Sequence, residues 1–266
     1  MTSVMLLIIF SGFSQQKNYW TKTLAPPEDR QLRSARSTPS TFQTFALDMQ
    51  TFRQNLSQAP VRGIATAPSD LVMSFPTADG KFERFRVLEA SVLHPDLAAK
   101  YPGIKSYAGQ GIDDPTATIR FSVSNQLGFH GMILSSEKNS YFIDPLSSDR
   151  KIYSVYNRAD MTSRDPDFQC FTDESGRTSS SGRERTTGRT NDKKLRKYRL
   201  ALSCNAEYGN IFAGSTGTDA QKKANILAQM NVTMTRVNGV YEKDLAITME
   251  IVPNNDLIIY YGSTTT

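Results

Sequence analysis

The chain has 266 residues, 38% of them hydrophobic, and a mean hydropathy of −0.43. This length fits one large or two modest domains, and the polar composition predicts that much of the chain is solvated. The formal net charge is +5 at pH 7, and residues 176–199 hold nine basic and two acidic side chains. Because the basic excess lies in one linker-like stretch, the composition argues against an ordered nucleic-acid-binding face.

The N-terminus carries an apolar run, VMLLIIFSGF, at residues 4–13. Such a run is too short to span a bilayer but suits the hydrophobic region of a secretory signal peptide. Gly12 and Ser14 are small residues placed for a cut before Gln15. We therefore predict a signal peptide over residues 1–14 and a secreted, extracellular protein that is not attached to a membrane after cleavage. Since the first three residues include no Lys or Arg, the true start is expected upstream; the other interpretation is a buried strand or helix.

Residues 15–66 form a polar lead-in with one predicted helix. Four apolar residues recur at spacings of four, three and four, which is one helical face: Phe45, Met49, Phe52 and Leu56. Thr41 is the expected N-cap. We expect this amphipathic helix to lie on the domain that follows.

Short β-type segments fill residues 67–165 and predict a β-rich antiparallel domain. The runs LVMSF and FERFRVLEASVL flank Asp79-Gly80, a dipeptide typical of hairpin turns. TATIRFSV alternates as a half-buried strand does, and GFHGMIL, SYFID and KIYSVY continue the meander. Between them, PDLAAKYP predicts a short helix or turn bracketed by prolines.

The chain holds two histidines and two cysteines, at spacings that do not form a zinc site. We assign His94 and His130 structural or surface positions, because no serine or cysteine partner is marked out beside either. Cys170 and Cys204 either form one disulfide or stay apart, with Cys204 a small buried side chain. The sequence therefore predicts no catalytic, cofactor-binding or metal-binding residue.

Residues 166–196 are predicted to be a disordered basic linker. The run SGRTSSSGRERTTGRTN at 175–191 contains no aliphatic or aromatic residue, so it cannot bury a core. Exposed, flexible segments are where proteolytic nicking concentrates. An activating protease is therefore expected to cut after one of five arginines, unless the linker is a passive tether: Arg177, Arg183, Arg185, Arg189 or Arg196.

The pattern of residues 197–266 predicts a strand, a long helix and a second strand, which is a βαβ unit. The helix is expected to begin after an N-cap at Thr218, with Asp219 in its first turn. Its apolar stripe recurs every three or four residues: Leu227, Met230, Met234, Val237 and Tyr241. Residues 246–252 follow as a buried strand, and the whole chain is thus expected to be α+β.

Two stretches resemble the precursors of secreted bacterial reprolysin-like zinc metalloproteases, which are metzincins. NVTMTRVNGVYEKDLAITMEIVPNNDLIIYY is similar to the family's helix with R-V-N-x-V/I-Y-x-x-D-L/M, followed by a strand and an N-N-D-x-I-I-Y segment. FRVLEASVLHPDLAAKYPGIKSYAG and the residues after it look like the propeptide of such relatives. The resemblance implies a propeptide for folding and latency, followed by the N-terminal part of a catalytic domain.

The implied parent activity is zinc-dependent endoproteolysis of polypeptide substrates. The family's zinc motif, H-E-x-x-H-x-x-G-x-x-H, is absent from these 266 residues. No zinc ligand or general base can therefore be carried over, and the chain as given is expected to be inactive alone. The alternative is a secreted β-rich binding or adhesion module without catalysis.

The resemblance also implies roles for several single residues. It places four residues on the helix that backs the family's sheet, with packing and hydrogen-bonding roles: Arg236, Asn238, Tyr241 and Asp244. Glu207 is the candidate for the calcium site of some relatives, without further support. Cys170 could act as a latency switch on zinc, but its surroundings, DFQCFT, lack the P-K-x-C-G-V pattern, so a disulfide to Cys204 or a free thiol is preferred. Residues 197–266 are expected to be marginally stable alone, because their helix would expose its apolar face.

Overall fold

A computed structural model describes residues 18–24, 39–63, 69–161 and 193–263. The predicted signal peptide, Cys170 and four of the five candidate cleavage arginines (Arg177, Arg183, Arg185 and Arg189) lie outside the described residues. The strands are β1 Trp20–Lys22, β2 Gln43–Leu47, β3 Val72–Pro76, β4 Phe82–Glu89, β5 Ile104–Gly111, β6 Thr118–Ser124, β7 Gly128–Leu134, β8 Tyr141–Pro145, β9 Ile152–Asn157, β10 Arg196–Leu200 and β11 Ile247–Ile251. The α-helices are α1 Met49–Leu56, α2 Pro95–Lys100, α3 Ala206–Ala213 and α4 Asp219–Leu245.

Strands β1 to β9 form one antiparallel sheet in the order β1-β2-β9-β8-β7-β6-β5-β4-β3. The sheet curls until it is nearly closed, and the Phe45 ring of β2 lies 5.7 Å from the Phe82 ring of β4, between centroids. The expected β-rich, antiparallel α+β architecture is confirmed. Strands β1 and β2 come from the lead-in, so part of that segment belongs to this sheet.

The hairpin between β3 and β4 turns where the Asp-Gly dipeptide predicts it. The backbone N–H of Thr77 donates to the carbonyl of Lys81 at 2.9 Å, and Gly80 has a φ of +84°. Glycine adopts this left-handed conformation without the steric cost that a Cβ brings. The turn sequence therefore suits the backbone that closes this hairpin.

An aromatic core fills the interior of the curled sheet, and helix α1 contributes its central ring. Phe52 is fully buried. Its ring centroid lies between 5.5 and 6.2 Å from five other rings: Tyr19, Trp20, Phe75, Phe121 and Phe129. Aromatic pairs in this range add to the free energy of burial. Helix α1 is thus part of the core of the sheet.

The predicted start of α1 was wrong, although the helix itself is present. Asp48 is the N-cap, accepting from the N–H of Thr51 at 3.1 Å, in place of Thr41. Phe45 lies in β2, where residues 43–46 pair with β9 and residues 45–47 pair with β1. The apolar spacing predicted a helix that began about one turn too early. Backbone hydrogen bonds to two neighbouring strands stabilise residues 43–47 as a strand instead.

Asp114 organises the loop between β5 and β6 through its carboxylate. One carboxylate oxygen accepts from the N–H of Thr116 at 2.8 Å, and the other accepts from the hydroxyl of Ser135 at 2.7 Å. Hydrogen bonds from Ser135 and Thr116 lower the pKa of Asp114 to about 2. Hydrogen bonds to the charged form favour ionisation, so this carboxylate stabilises the fold only while it is charged.

We expect the Asp114→Asn variant to lose part of the acid sensitivity of the wild-type chain. A depressed pKa contributes stability above the unfolded value of about 3.9, and that contribution is lost as pH falls toward about 2. Urea unfolding at a series of pH values between about 5 and 2.5 measures the slope that linkage describes. The matched control is Asp70→Asn, at an exposed carboxyl. An unchanged slope in the Asp114 variant would contradict the assignment.

The C-terminal elements form the predicted βαβ unit. Strands β10 and β11 pair in parallel, with Arg196 opposite Ile247 and Leu200 opposite Ile251. Helix α4 joins them and begins at a capping box in which Thr218 and Gln221 satisfy each other's backbone N–H groups. The predicted N-cap, the helix and both strands are confirmed. The expected burial of the second strand was wrong for most of its length, because residues 247–250 are only half-buried. Helix α3 was not predicted.

Candidate functional site: the contact between the sheet and the βαβ unit

The described residues of 18–161 are called the sheet unit below, and residues 193–263 the helical unit. Both units contribute to a second hydrophobic core. The sheet unit supplies Val92, Leu93, Leu97 and Ile104, and the helical unit supplies Cys204, Ala213, Ile226, Leu227, Ala228, Met230, Met234, Ile251 and Ile259. The apolar stripe of α4 is thus mostly covered, except that Tyr241 at its end is 39% exposed.

Backbone hydrogen bonds continue this contact along β11. The N–H of Ile251 donates to the carbonyl of Val92 at 2.8 Å, and the N–H of His94 donates to the carbonyl of Ile251 at 2.9 Å. Leu93 and Ile251 form a parallel bridge. A segment of the sheet unit therefore pairs with the edge of the small parallel sheet, which is strand addition within one chain.

A second face of α4, made of polar and small side chains, lies against β5, β6 and β7. The Ser106 hydroxyl donates to the Asn231 side chain at 2.8 Å, and the Thr235 hydroxyl donates to Ser106 at 3.0 Å. At Gly239, a Cβ would lie 2.7 Å from the Met132 methyl and 2.9 Å from a carbon of Arg120. Small and polar residues at a spacing of four are the sequence signal for this face, which the search for apolar periodicity missed.

Asp144 on β8 links the sheet to α4 through its carboxylate. Nη2 of Arg236 and Nδ1 of His130 each lie 2.6 Å from one carboxylate oxygen, and the hydroxyl of Tyr156 donates to the other at 2.7 Å. The Arg236 guanidinium also lies over the Phe142 ring, 5.1 Å from its centroid. Arg236 therefore has the hydrogen-bonding role that the resemblance implied, but its partner belongs to the sheet unit.

Glu242, near the end of α4, binds two arginines, and its pair with Arg120 has the most buried cation of the contact. Nη1 of Arg62 lies 2.9 Å from both carboxylate oxygens, and Nη2 of Arg120 donates to one of them. The side chain of Arg120 is only 5% exposed. Burial, together with the nearby Arg62 charge and against the opposing attraction of Glu242, lowers the pKa of Arg120 to about 10. One carboxylate therefore faces two guanidinium groups.

Asn238 fastens α4 to β11 inside the helical unit. Its amide nitrogen donates to the carbonyl of Met249 at 2.8 Å, and its amide oxygen accepts from the N–H of Met249 at 2.9 Å. This matches the role implied for Asn238. Tyr241 and Asp244 are exposed, so the packing roles implied for them are not found.

The structure places the other predicted residues away from any shared centre. The ring of His94 caps α2 by accepting from the N–H of Asp96 at 3.2 Å, which is the structural position expected for it. Arg196 lies in β10, and its N–H donates to the carbonyl of Ala246 at 2.9 Å. A cut after Arg196 would therefore require β10 to separate from β11.

Cys204 is buried and has no disulfide partner among the described residues. Its thiol lies 3.6 Å from the carbonyl of Tyr260, and burial raises its pKa. The proposed disulfide with Cys170, and the role of Cys170 in latency, stay predictions because Cys170 lies outside the described residues.

The described residues do not fit a zinc or calcium site. Among them, no group of three or more His, Cys, Asp or Glu side chains is placed to hold a metal ion. His130 is engaged with Asp144, and Glu207 is exposed in the first turn of α3. In the same ranges, no helix has the length and apolar character needed to cross a membrane.

Comparisons with known proteins leave the family open. No protein-family model and no curated protein matches the chain. A solved structure described as "Structure of a chaperone-substrate complex" is similar at 9% identity, over 49% of this chain and 96% of that chain. Its TM-score is 0.32, and a likeness this weak carries no argument about fold or function.

Proposed function

We propose that the chain belongs to the precursor of a secreted zinc-dependent endopeptidase. In this proposal the sheet unit is the propeptide, and the helical unit is the N-terminal part of the catalytic domain. The observation that carries it is the second hydrophobic core, because the apolar stripe of α4 is buried partly by residues of the sheet unit. A propeptide that assists folding must cover apolar surface that its client would otherwise expose.

The pairing of residues 92–94 with β11 and the ion pairs of Asp144 and Glu242 also support a folding role for the sheet unit. Strand addition on β11 satisfies backbone groups of an edge strand, and edge strands left open are sites of aggregation. Asp144 and Glu242 then tie the sheet unit and α4 together at two further points. The zinc, the polypeptide substrate and an activating protease that cuts in the linker come from the family resemblance alone.

A secreted binding or adhesion module is the second candidate, and one observation favours it. A βαβ unit by itself would leave the apolar stripe of α4 uncovered and could not form a complete module. The sheet unit covers that stripe, with Leu227 fully buried and Met230 and Met234 nearly so. The two units can thus form one stable body without any further domain.

The folding role is tested by separating the two units after folding. A specific protease site is inserted between residues 175 and 190, and the folded chain is cut there. We expect the pieces to co-elute in gel filtration, because the shared core and ion pairs hold them together. After separation in denaturant, the C-terminal piece should recover the helical circular dichroism of α4 only when the sheet piece is added back. Full recovery by the C-terminal piece alone would refute the folding role.

The peptidase lineage needs a separate test. The reading frame beyond codon 266 is sequenced, and any extension is expressed with the chain. We expect an H-E-x-x-H motif and zinc-dependent hydrolysis of a casein substrate after cleavage in the linker. A stop codon directly after Thr266 would leave a protein unable to hydrolyse peptides, which would refute the peptidase function and leave the binding module as the remaining candidate.

A further inference from the structure

A basic cavity of about 630 Å³ lies between the sheet unit and the C-terminal end of α4. Residues of β4, β5 and β6 form one wall, and the last turns of α4 with residues 193–195 form the other. Six of its lining residues are cationic: Arg62, Arg86, Arg120, Lys193, Lys194 and Lys243. Among the described residues of the lining, Glu242 is the one acidic residue. Cationic side chains therefore outnumber acidic ones in the described lining.

The single carboxylate of Glu242 does not neutralise the two guanidinium groups that it binds. It already binds Arg62 and Arg120, and Nη1 of Arg120 is buried without a hydrogen-bond partner among the described residues. A buried donor without a partner is costly, and it is most costly when the group is charged. Arginine geometry suits phosphate and carboxylate oxygens, so an oxyanion in the cavity would balance the charge of the guanidinium groups that line it.

Positive side chains face each other across the contact between the units. Arg62, Arg86 and Arg120 belong to the sheet unit, whereas Lys193 and Lys243 belong to the helical unit. Like charges in a partly buried cleft repel each other more strongly than they do in water. An anion between them would turn this repulsion into attraction and hold the units together.

We propose that this cavity binds a small oxyanion, which bridges the arginines of the sheet unit to the lysines of the helical unit and stabilises their docked arrangement. Phosphate, sulfate and carboxylate ligands share the required chemistry. The anion site rests on the packing of the two units and not on the peptidase lineage. Failure of the anion test would therefore leave the proposed peptidase function unaffected, and the reverse also holds.

The experiment is a titration of the full chain with inorganic phosphate, sulfate or citrate at constant ionic strength, with chloride as the reference. We expect the midpoint of thermal unfolding to rise in a saturable way, since a ligand that binds only the folded state stabilises it by mass action. Calorimetric titration gives the dissociation constants. Tighter binding of phosphate and sulfate identifies a tetrahedral ligand, whereas tighter binding of citrate identifies a carboxylate ligand.

The test variant is Arg86→Gln with Lys243→Gln, at two exposed positions that leave the cores intact. The matched control is Lys81→Gln with Lys151→Gln, whose side chains are 80% and 77% exposed and lie outside the cavity. We expect the test variant to bind the anion about tenfold more weakly or worse, as the loss of charge-assisted contacts predicts. Equal weakening in both variants, or no saturable binding by the wild-type chain, would overturn the proposal.

Discussion

Replacing Phe52 with alanine is expected to destabilise the chain by about 3–5 kcal/mol, the range for removing a large aromatic side chain from a packed core. Phe52 is fully buried, and its ring contacts residues of β1, β3, β6 and β7. The surrounding strands are held in place by backbone hydrogen bonds within the sheet, so they cannot collapse fully into the vacated space. Chemical denaturation of the full chain, followed by the fluorescence of Trp20, measures the loss in free energy of unfolding.

Phe82→Ala is the matched control for this prediction. The Phe82 side chain also contacts an aromatic residue of the sheet, but Phe82 is 39% exposed. We expect it to cost clearly less than the Phe52 variant. If the two variants cost the same, or if Phe52→Ala costs under about 1 kcal/mol, then α1 lies on the sheet without completing its core.

Glu242→Gln is expected to cost about 3–5 kcal/mol, the effect of breaking a buried ion pair from one side. The change keeps the shape of the side chain but removes its charge. Arg120, with a side chain only 5% exposed, would then be left without a counter-charge. Urea unfolding at neutral pH measures the free energy of unfolding of the variant.

Glu250→Gln separates this effect from that of an ordinary surface pair. Glu250 pairs with Lys197 at 2.8 Å, but the lysine side chain is 61% exposed. Such pairs contribute about 0–1 kcal/mol. A Glu242 variant as stable as the Glu250 variant would contradict the assignment of the buried pair. Added phosphate should recover part of the stability of the Glu242 variant if the proposed anion site exists.

Local patterns were sufficient for the βαβ unit and the hairpins. Thr218 is the N-cap of α4, and the Asp-Gly turn joins β3 to β4, because capping and turn chemistry act within a few residues. The apolar stripe of α4 marked a face that must be buried. No local pattern could tell which part of the chain would cover it.

The missed features are those in which distant segments meet. Residues 43–47 carry a helical spacing but form β2, since β1 and β9 supply hydrogen-bond partners on both sides. No sequence pattern marked the polar face of α4 for burial, yet Asn231 and Thr235 are each only 1% exposed because Ser106 lies opposite them. Polar residues are buried when partners are available, and those partners lie more than a hundred residues away in the chain.

By itself the sequence determined the β-rich α+β class, the long capped helix, the parallel βαβ connection and the absence of the zinc motif from these residues. Periodicity and capping depend on neighbours in the chain, which explains why these features could be derived. Only the tertiary structure decided that the lead-in joins the sheet, that the second core is shared, and that Arg120 and Arg62 converge on Glu242. An amphipathic pattern predicts that one face of a helix is buried, but the packing of the whole chain determines which residues cover that face.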